Sequence, residues 1–534
     1  MTMNSYRLLL VSDQPPKSLW NLASRIEREL PAARICGIVL QTPPREIRRS
    51  EVRRHSIVDF LLTVVHGSAA SSSSAVLGGA ELTHECRRRH WPLLISDDLA
   101  NQESECFVRG QSADLALVAG TPNVDPAILR IPRFGSLRVQ ISHSSADRNA
   151  AKPAAETSSG SEKRLSVSVE PAFDAQPAQR VISVQLPVQP FDSPGATSLV
   201  RDLITIDLMI LVVSSLCRGK TSDTNEQVSS WVREMLAPCF SGDAPQSLPD
   251  WQEPSRWRTR PAWKLFLHSL VLFSPCMIAR NWYRRCRGSF PVVILFHHLI
   301  SNRFHRMGIP TDIFLRQVEF LLKHYRVVSL SEGLQILHSG SCRVPTVILT
   351  FDDGYEDNFL YLRAVTEATG IPVSLFVCTK AVESRGEFQH DRKSGGAGFR
   401  ALGWDQIRYW QSDRIEFGSH TRSHYDCGSA DTRALEGEIA GSREDMQRQL
   451  GMLPRFFAFP WGQACNMSPE ALRIAASSYE CSFSTLGFEN FVKNGSVLQV
   501  AGRKPLPASV WELELTVQSI FDLPSRLWRG WAEP

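Results

Sequence analysis

Along most of this 534-residue chain, short apolar runs alternate with stretches whose apolar residues recur every three or four positions. That alternation predicts parallel strands joined by helices that cover a sheet. Tyr6 to Ser12 and Ile35 to Leu40 are strand-like, and LWNLASRIERELP between them has helical spacing. Trp91 to Ser96 and Leu115 to Ala119 repeat the strand signal, so the first region is expected to be an open, doubly wound parallel sheet. The alternation resumes at Pro291 with PVVILFHHL, followed by a helical pattern from Thr311 to His324 that Thr311 or Asp312 would cap. RVVSLSEGLQIL, VILTFDDG, a helix from Asn358 to Thr369, the strand Val373 to Val377 and IEFGSH continue it. This order predicts a (β/α) barrel or a related parallel sheet.

Interruptions of the pattern divide the chain. Ser71 to Ser74 read as a surface loop, and the Ala/Ser-rich, aperiodic segment 142–162 is expected to be mobile. Ser241 to Arg260, rich in Pro, Trp and charge, reads as a linker. The expected organisation is a domain at 1–240, a linker and helix at 241–290, a second domain at 291–505 and a tail at 506–534. Leu265 to Ala279 is apolar but carries His268 and Pro275, and it is shorter than the roughly 20 residues a membrane span needs. Its flank, RNWYRRCR, is basic and aromatic, which leaves two readings. The stretch is either a helix packed against the next domain or a peripheral membrane contact through 265–287.

Composition narrows the partners. With 43% apolar and 21% charged residues and a net charge of +4, the chain is ordinary for a globular protein, and no nucleic-acid partner is implied. Twelve cysteines without a CxxC pair suit reduced thiols, and MTMNSYRLLLVSDQPP lacks the core and cleavage site of a signal peptide. A cytoplasmic location, with membrane association as the open alternative, is the expectation.

Candidate chemistry concentrates at VILTFDDG, Val347 to Gly354. A buried strand would deliver Asp352 and Asp353 to its C-terminal end, where α/β enzymes place reactive groups. On an extended backbone, neighbours point to opposite sides, so one carboxylate can bind a metal while the other acts on a water. His420 and His424 would face one side if the chain coils after Ser419, which suits clamping a divalent ion. His297 and His298 end another strand. A chain with 14 His easily contains one HxxxH by accident; the combination is what is specific. The aperiodic stretch Ser384 to Gly403 is expected to be a loop at the barrel mouth.

Residues 291 to about 505 resemble the polysaccharide deacetylase family, the NodB-homology domain of the carbohydrate esterases, through TFDDG (Thr350 to Gly354), HTRSH (His420 to His424) and FFAFPWG (Phe456 to Gly462). The resemblance implies a barrel of that family's type. It also implies a metal held by Asp353, His420 and His424, with Zn expected and Co, Ni or Mn as alternatives. Asp352 is then the general base, and Trp461, beside Pro460, supplies an oxyanion-stabilising N–H. Tyr355 either contacts substrate or starts a helix, and His297 is the proton donor. Two features depart from the family. Phe456 and Phe457 stand where many members begin with an arginine, which is expected to leave Asp352 without an orienting partner. No late Leu-His pair follows residue 490, the tail offering Arg503 instead, so the acid assignment rests on His297.

Residues 5 to 220 resemble, more loosely, the formyltransferases that move a formyl group from a folate carrier to an amine. ADLALVAG, IPRFGSLRVQIS and RVISVQLPVQPFDSPGATSLVRDL carry that likeness. Arg138 and Gln140 replace the family's Asn and His, and Gln176 to Gln179 lacks its carboxylate, so the resemblance implies a catalytically degenerate domain. An unrelated doubly wound domain is the alternative. Together these readings predict a metal-dependent hydrolase removing an acetyl or formyl group from the nitrogen of an amino sugar. The substrate would be a nucleotide- or lipid-linked intermediate. A catalytically inactive sugar-binding or scaffolding protein and an O-acetyl esterase are the alternatives.

Overall fold

A computed structural model describes residues 6–14, 16–42, 62, 65, 79–144, 164–171, 182–187, 194–218, 230–236, 261–303, 305–393, 398–412, 414–491 and 499–522. The chain forms two compact units, one from residues 1–54 and 76–240, the other from 55–75 and 241–534. The serine patch at 71–74, residues 145–162, Gln176 to Gln179 and the linker at 241–260 lie outside the described residues. Among the described residues no helix is long and apolar enough to cross a membrane.

In the first unit the strands are β1 (Tyr6–Ser12), β2 (Ala33–Gln41), β3 (Leu93–Ser96), β4 (Leu115–Ala119), β5 (Ser136–Ser144), β6 (Arg164–Pro171) and β7 (Ile182–Pro187). They form one sheet in the order β3-β2-β1-β4-β5-β6-β7. The first five run parallel, as the alternation predicts. β6 and β7 then add antiparallel to the edge, making the sheet mixed. Their sequence explains the change: RLSVSVEP alternates apolar with polar residues, the signature of an antiparallel strand covered on one face, unlike the continuous apolar run of β4. β5 extends through Ser144, so 142–144, expected to be mobile, pair with β6 instead. The helices Pro16–Glu29 and Pro194–Cys217 are tied by a buried Arg25–Asp207 ion pair at 2.7 Å.

The second unit contains β8 (Val292–His297), β9 (Leu299–Ile300), β10 (Gly308–Ile309), β11 (Arg326–Val327), β12 (Thr346–Phe351), β13 (Val373–Val377), β14 (Ile415–Ser419), β15 (Phe456–Ala458), β16 (Cys481–Ser484), β17 (Val500–Gly502) and β18 (Lys504–Pro505). β9 and β10 form a small separate pair. The main sheet is parallel throughout, in the order β17-β16-β15-β14-β13-β12-β8-β18, with β11 also pairing β12. Its two edge strands are one stretch of chain. Residues 500–502 pair with β16, and after Arg503, residues 504–505 pair with β8. This stretch closes the sheet into a barrel, and Arg503 sits on the seam. Every residue of β12 is buried, as its uninterrupted apolar sequence requires. The register sets Phe351 beside His297, Val377 beside Ser419, and Ser484 beside Gly502, so these strands end at the same mouth.

One local expectation is corrected. The helix Thr311–His324 takes no cap from Thr311 or Asp312: its N-cap is Pro310, and the Asn302 side chain accepts the Thr311 N–H at 3.0 Å. Within the C-terminal tail, the helix Val510–Val517 buries Leu513, Leu515 and Val517. The stretch 261–290 is helical and packed, one of the two readings its sequence allows. The helices Ala262–Leu272 and Pro275–Arg287 place Leu272 and Met277 in a cluster with Leu515 and Ile520.

Candidate metal centre and active site

β12 ends at Phe351, and the next residues turn sharply. The Asp352 carbonyl accepts the Gly354 N–H at 2.8 Å around Asp353, whose φ is 69°. The directions of the two carboxylates are therefore set by a tight turn and not by the strand pleat. A left-handed conformation at a non-glycine residue costs about 1–3 kcal/mol and persists only where its surroundings impose it. Here they do: Gly354 has φ 86°, and a Cβ there would meet Val377 Cγ1 at 2.7 Å, so only glycine lets β12 turn this close to β13. A second such turn lies across the mouth. Trp461 has φ 57°, and the Pro460 carbonyl accepts the Gly462 N–H at 2.7 Å.

Asp353 faces three imidazoles. Its Oδ1 lies 3.3 Å from His424 Nε2 and 3.5 Å from His420 Nε2, and its Oδ2 lies 3.6 Å from His390 Nε2. Both oxygens are buried, yet among the described residues neither makes a hydrogen bond of good geometry. A buried carboxylate faced only by imidazoles, without a well-made hydrogen bond, is poorly compensated, and this arrangement suits a cation. Ligands held about 2.0–2.1 Å from a tetrahedral ion stand about 3.3 Å apart, which matches the two spacings on Oδ1. His420 is also oriented for the task. Its Nδ1 lies 2.8 Å from the Ala458 carbonyl, which fixes the tautomer with the proton on Nδ1 and turns the Nε2 lone pair toward Asp353. Asp353, His420 and His424 together offer ligand atoms within 4.8 Å of one another. Two imidazoles and a carboxylate fit Zn2+ or a similar divalent ion.

The protonation of Asp353 and His420 agrees with that fit, while His424 would give up its proton to an incoming ion. Burial pushes the His420 pKa down to about 4, so the imidazole is neutral near pH 7. Burial raises the Asp353 carboxyl, but His424 and the other imidazoles outweigh it and hold the group well below the usual carboxylate range. For His424 burial opposes the charge, and the facing Asp353 carboxylate prevails, raising its pKa.

The two histidines do not meet through a helical turn. Residues 420–424 form a tight turn with left-handed φ values of 63° at Thr421 and 57° at His424, and the Thr421 hydroxyl accepts the Tyr425 N–H at 3.0 Å. The rings stand 5.2 Å apart, centroid to centroid.

Asp352 does have an orienting partner, contrary to the expectation raised by Phe456 and Phe457. The Arg503 guanidinium donates to both of its oxygens, at 2.6 and 2.8 Å, from the barrel seam, and to the Thr350 hydroxyl at 3.1 Å. Burial raises the Asp352 carboxyl, and Arg503 reverses this, holding it below its ordinary range. Nothing near VILTFDDG announces the pairing; Arg503 stands 151 residues away and becomes adjacent only when the barrel closes.

The remaining predicted residues fall into place unevenly. His297 ends β8 beside Phe351, and its carbonyl accepts the Asp352 N–H at 2.8 Å. Its Nε2 is buried without a hydrogen-bond partner among the described residues, and burial pushes its pKa down to about 3. Its neighbour His298 acts electrostatically on both Asp352 and Asp353. Tyr355 is fully buried. Its hydroxyl donates to Asp391 at 2.6 Å and lies 2.9 Å from His390 Nε2. Pro460 is buried, whereas Trp461 is half exposed and sets its ring edge-on to His424, at 4.4 Å. The described part of Ser384 to Gly403, expected to be a loop, is partly helical. It contains the helix Gln389–Lys393, which carries His390 and Asp391 to the site, and Asp391 is held by His305 at 2.9 Å. A five-residue helix is too short to leave a periodic signal, and the histidine inside it was the only available clue.

In the first unit, Arg138 and Gln140 lie two positions apart on β5, and Arg138 Nε is buried without a hydrogen-bond partner among the described residues.

Residues 340–478 match the family model for polysaccharide deacetylase. Among solved structures, the chain is similar to IcaB from Ammonifex degensii, at 21% identity over 43% of this chain and 97% of that one, with a TM-score of 0.36. It is similar to the Streptococcus pyogenes deacetylase PplD, in complex with acetate, at 20% identity over 43% and 98% of the two chains, with a TM-score of 0.35. A third likeness is glycinamide ribonucleotide transformylase 1 from Geobacillus kaustophilus, at 14% identity over 38% and 94%, with a TM-score of 0.25. No curated protein matches the chain.

Proposed function

We propose that this chain, through the polysaccharide deacetylase domain matched at residues 340–478, hydrolyses the N-acyl group of an amino sugar. The observation that carries the reading is Asp353: a buried carboxylate with no hydrogen bond of good geometry among the described residues, set at ligand spacing from two imidazoles and adjacent to a second carboxylate held by Arg503. A divalent ion held by Asp353, His420 and His424 would supply Lewis acidity toward the acyl carbonyl and ease deprotonation of water.

The chain's own groups do the rest. Asp352, kept ionised and aimed by Arg503, takes the proton of the attacking water. The Trp461 N–H, presented by its left-handed turn, stabilises the oxygen of the tetrahedral intermediate. Cleavage of the C–N bond releases acetate or formate, and the departing amine takes a proton. His297 is proposed to deliver it; being neutral at rest, it must first collect the proton that the water gave up. Tyr355 and Asp391 hold His390 beside Asp353 as positioning residues. In this reading the first unit, with Arg138 and Gln140 at the relevant places on β5, is not catalytic. The substrate is a nucleotide- or lipid-linked amino sugar met in the cytoplasm.

The test is release of acetate or formate from N-acetyl and N-formyl amino sugars, free and carrier-linked, by Zn-loaded protein. Turnover lost on chelation and absent in His424→Ala supports the reading. Tight sugar binding without turnover would replace it with a binding role, and preference for O-acetyl sugars would make the protein an esterase.

A further inference from the structure

The helices Ala262–Leu272 and Pro275–Arg287 present a surface that the proposed chemistry does not use. An ordinary surface helix is apolar toward the core and polar outside. Ala262–Leu272 is apolar on both sides. Its inner side contributes Leu265 and Leu272 to the cluster shared with Met277, Leu515 and Ile520. Its outer side carries Trp263, Phe266, Leu267, Leu270 and Val271, the i, i+3, i+4, i+7, i+8 spacing of a single face. The next helix adds Trp282 and Tyr283. Apart from Val271, these side chains are 51–64% exposed, well beyond the scattered leucine that any surface shows.

Charge indicates what covers this face. From Pro261 to Phe290 the sequence contains Lys264, Arg280, Arg284, Arg285 and Arg287 and no Asp or Glu. Lys264 and Arg287 are exposed, Lys264 lying 5.3 Å from the Trp263 ring centre. Arg284 meets Glu489 and Arg280 meets Gln518, so part of the basic set anchors the helices to the rest of the second unit while Lys264 and Arg287 are exposed. Apolar side chains for an acyl boundary, Trp and Tyr for the headgroup level and cations without carboxylates are the three features of a helix lying on an anionic bilayer. A protein partner of ordinary composition would not require carboxylates to be missing over thirty residues.

We propose that these two helices dock the protein on a membrane surface rich in anionic lipid, as a peripheral contact without spanning. The inference does not depend on the catalytic reading, and its test needs no turnover. The full chain is floated with vesicles of phosphatidylcholine alone and of equal parts phosphatidylcholine and phosphatidylglycerol. Binding to the anionic vesicles, weakened by salt, is expected. The outer-face variant Phe266→Ser/Leu267→Ser/Leu270→Ser should lose roughly tenfold or more of the affinity. Lys264→Gln/Arg287→Gln should lose about fivefold per cation and flatten the salt dependence. Quenching of tryptophan fluorescence by brominated lipid, reduced in Trp263→Ser/Trp282→Ser, reads insertion separately and covers the case of a misfolded triple variant. Absence of binding at low salt, binding indifferent to lipid charge, or a concentration-dependent dimer that the outer-face variant abolishes without any vesicle binding would each overturn the proposal.

Discussion

Arg503→Met removes the guanidinium that reaches both oxygens of Asp352 and leaves a side chain of comparable length in the barrel wall. Arg503 is fully buried and Asp352 nearly so, so solvent screens the pair little. Opposite unit charges about 4 Å apart in an effective dielectric of about 20 attract by about 4 kcal/mol, and stranding one member of a buried pair costs about 3–5 kcal/mol. The pH dependence gives the loss a signature. In the native protein the Asp352 carboxyl is held low, so its contribution to stability is present above the unfolded carboxylate range and disappears as pH falls through the lower folded value. Without Arg503, burial prevails and raises the carboxyl, reversing the sign: the variant loses stability as pH rises. Urea unfolding of metal-free protein should therefore show a gap of about 3–5 kcal/mol between the two proteins near pH 7, shrinking toward about pH 4. Asp352→Asn/Arg503→Met, which has no stranded charge, should be more stable than Arg503→Met alone, and the acid limb of any deacylation profile should move upward in the single variant. A gap that does not change with pH would mean that Arg503 acts through packing alone, and the account of Asp352 would fall with it.

Elemental analysis should find about one divalent ion per wild-type chain and none in His424→Ala or Asp353→Asn, with metal affinity lowered at least about 100-fold; equal metal in all three would refute the centre. Gly354→Ala should destabilise the second unit by about 1–3 kcal/mol by urea unfolding, because a Cβ would stand 2.7 Å from Val377 at a φ of 86°; an unchanged midpoint would show that the turn relaxes freely. Glu356 is buried, and burial together with Asp357 raises its pKa to about 7. A carboxyl raised on folding loses stability as pH climbs from its unfolded value to its folded one, here by at most about 3 kcal/mol, so Glu356→Gln should gain on wild type between about pH 5 and 8. Parallel stability curves for the two proteins would contradict that burial effect. Tyr355→Phe removes the hydroxyl bonded to Asp391 and adjacent to His390; metal content should stay unchanged while kcat falls, and an altered metal content would reassign the residue to the centre itself.

What the sequence determined by itself was local. Continuous apolar runs ending in Asp-Asp-Gly and Ser-His marked buried strands delivering ligands to one mouth, and strand–helix alternation required a parallel sheet, because both signals depend on residues a few positions apart. The antiparallel β6 and β7 were legible too, in the alternation of RLSVSVEP, but a search for buried strands passes over that period. Only the tertiary structure decided the partners. Arg503 joins Asp352 because residues 500–505 bridge the two edges of the sheet and close the barrel, an event 151 residues removed from the carboxylate it serves. His390 enters through a five-residue helix with no periodic trace, and His420 and His424 converge through left-handed backbone and not through a coil. In each case the reason is the same. Side-chain periodicity reports which face of an element is buried, whereas the direction of a turn and the choice of a distant partner follow from how the closed barrel brings strand ends together.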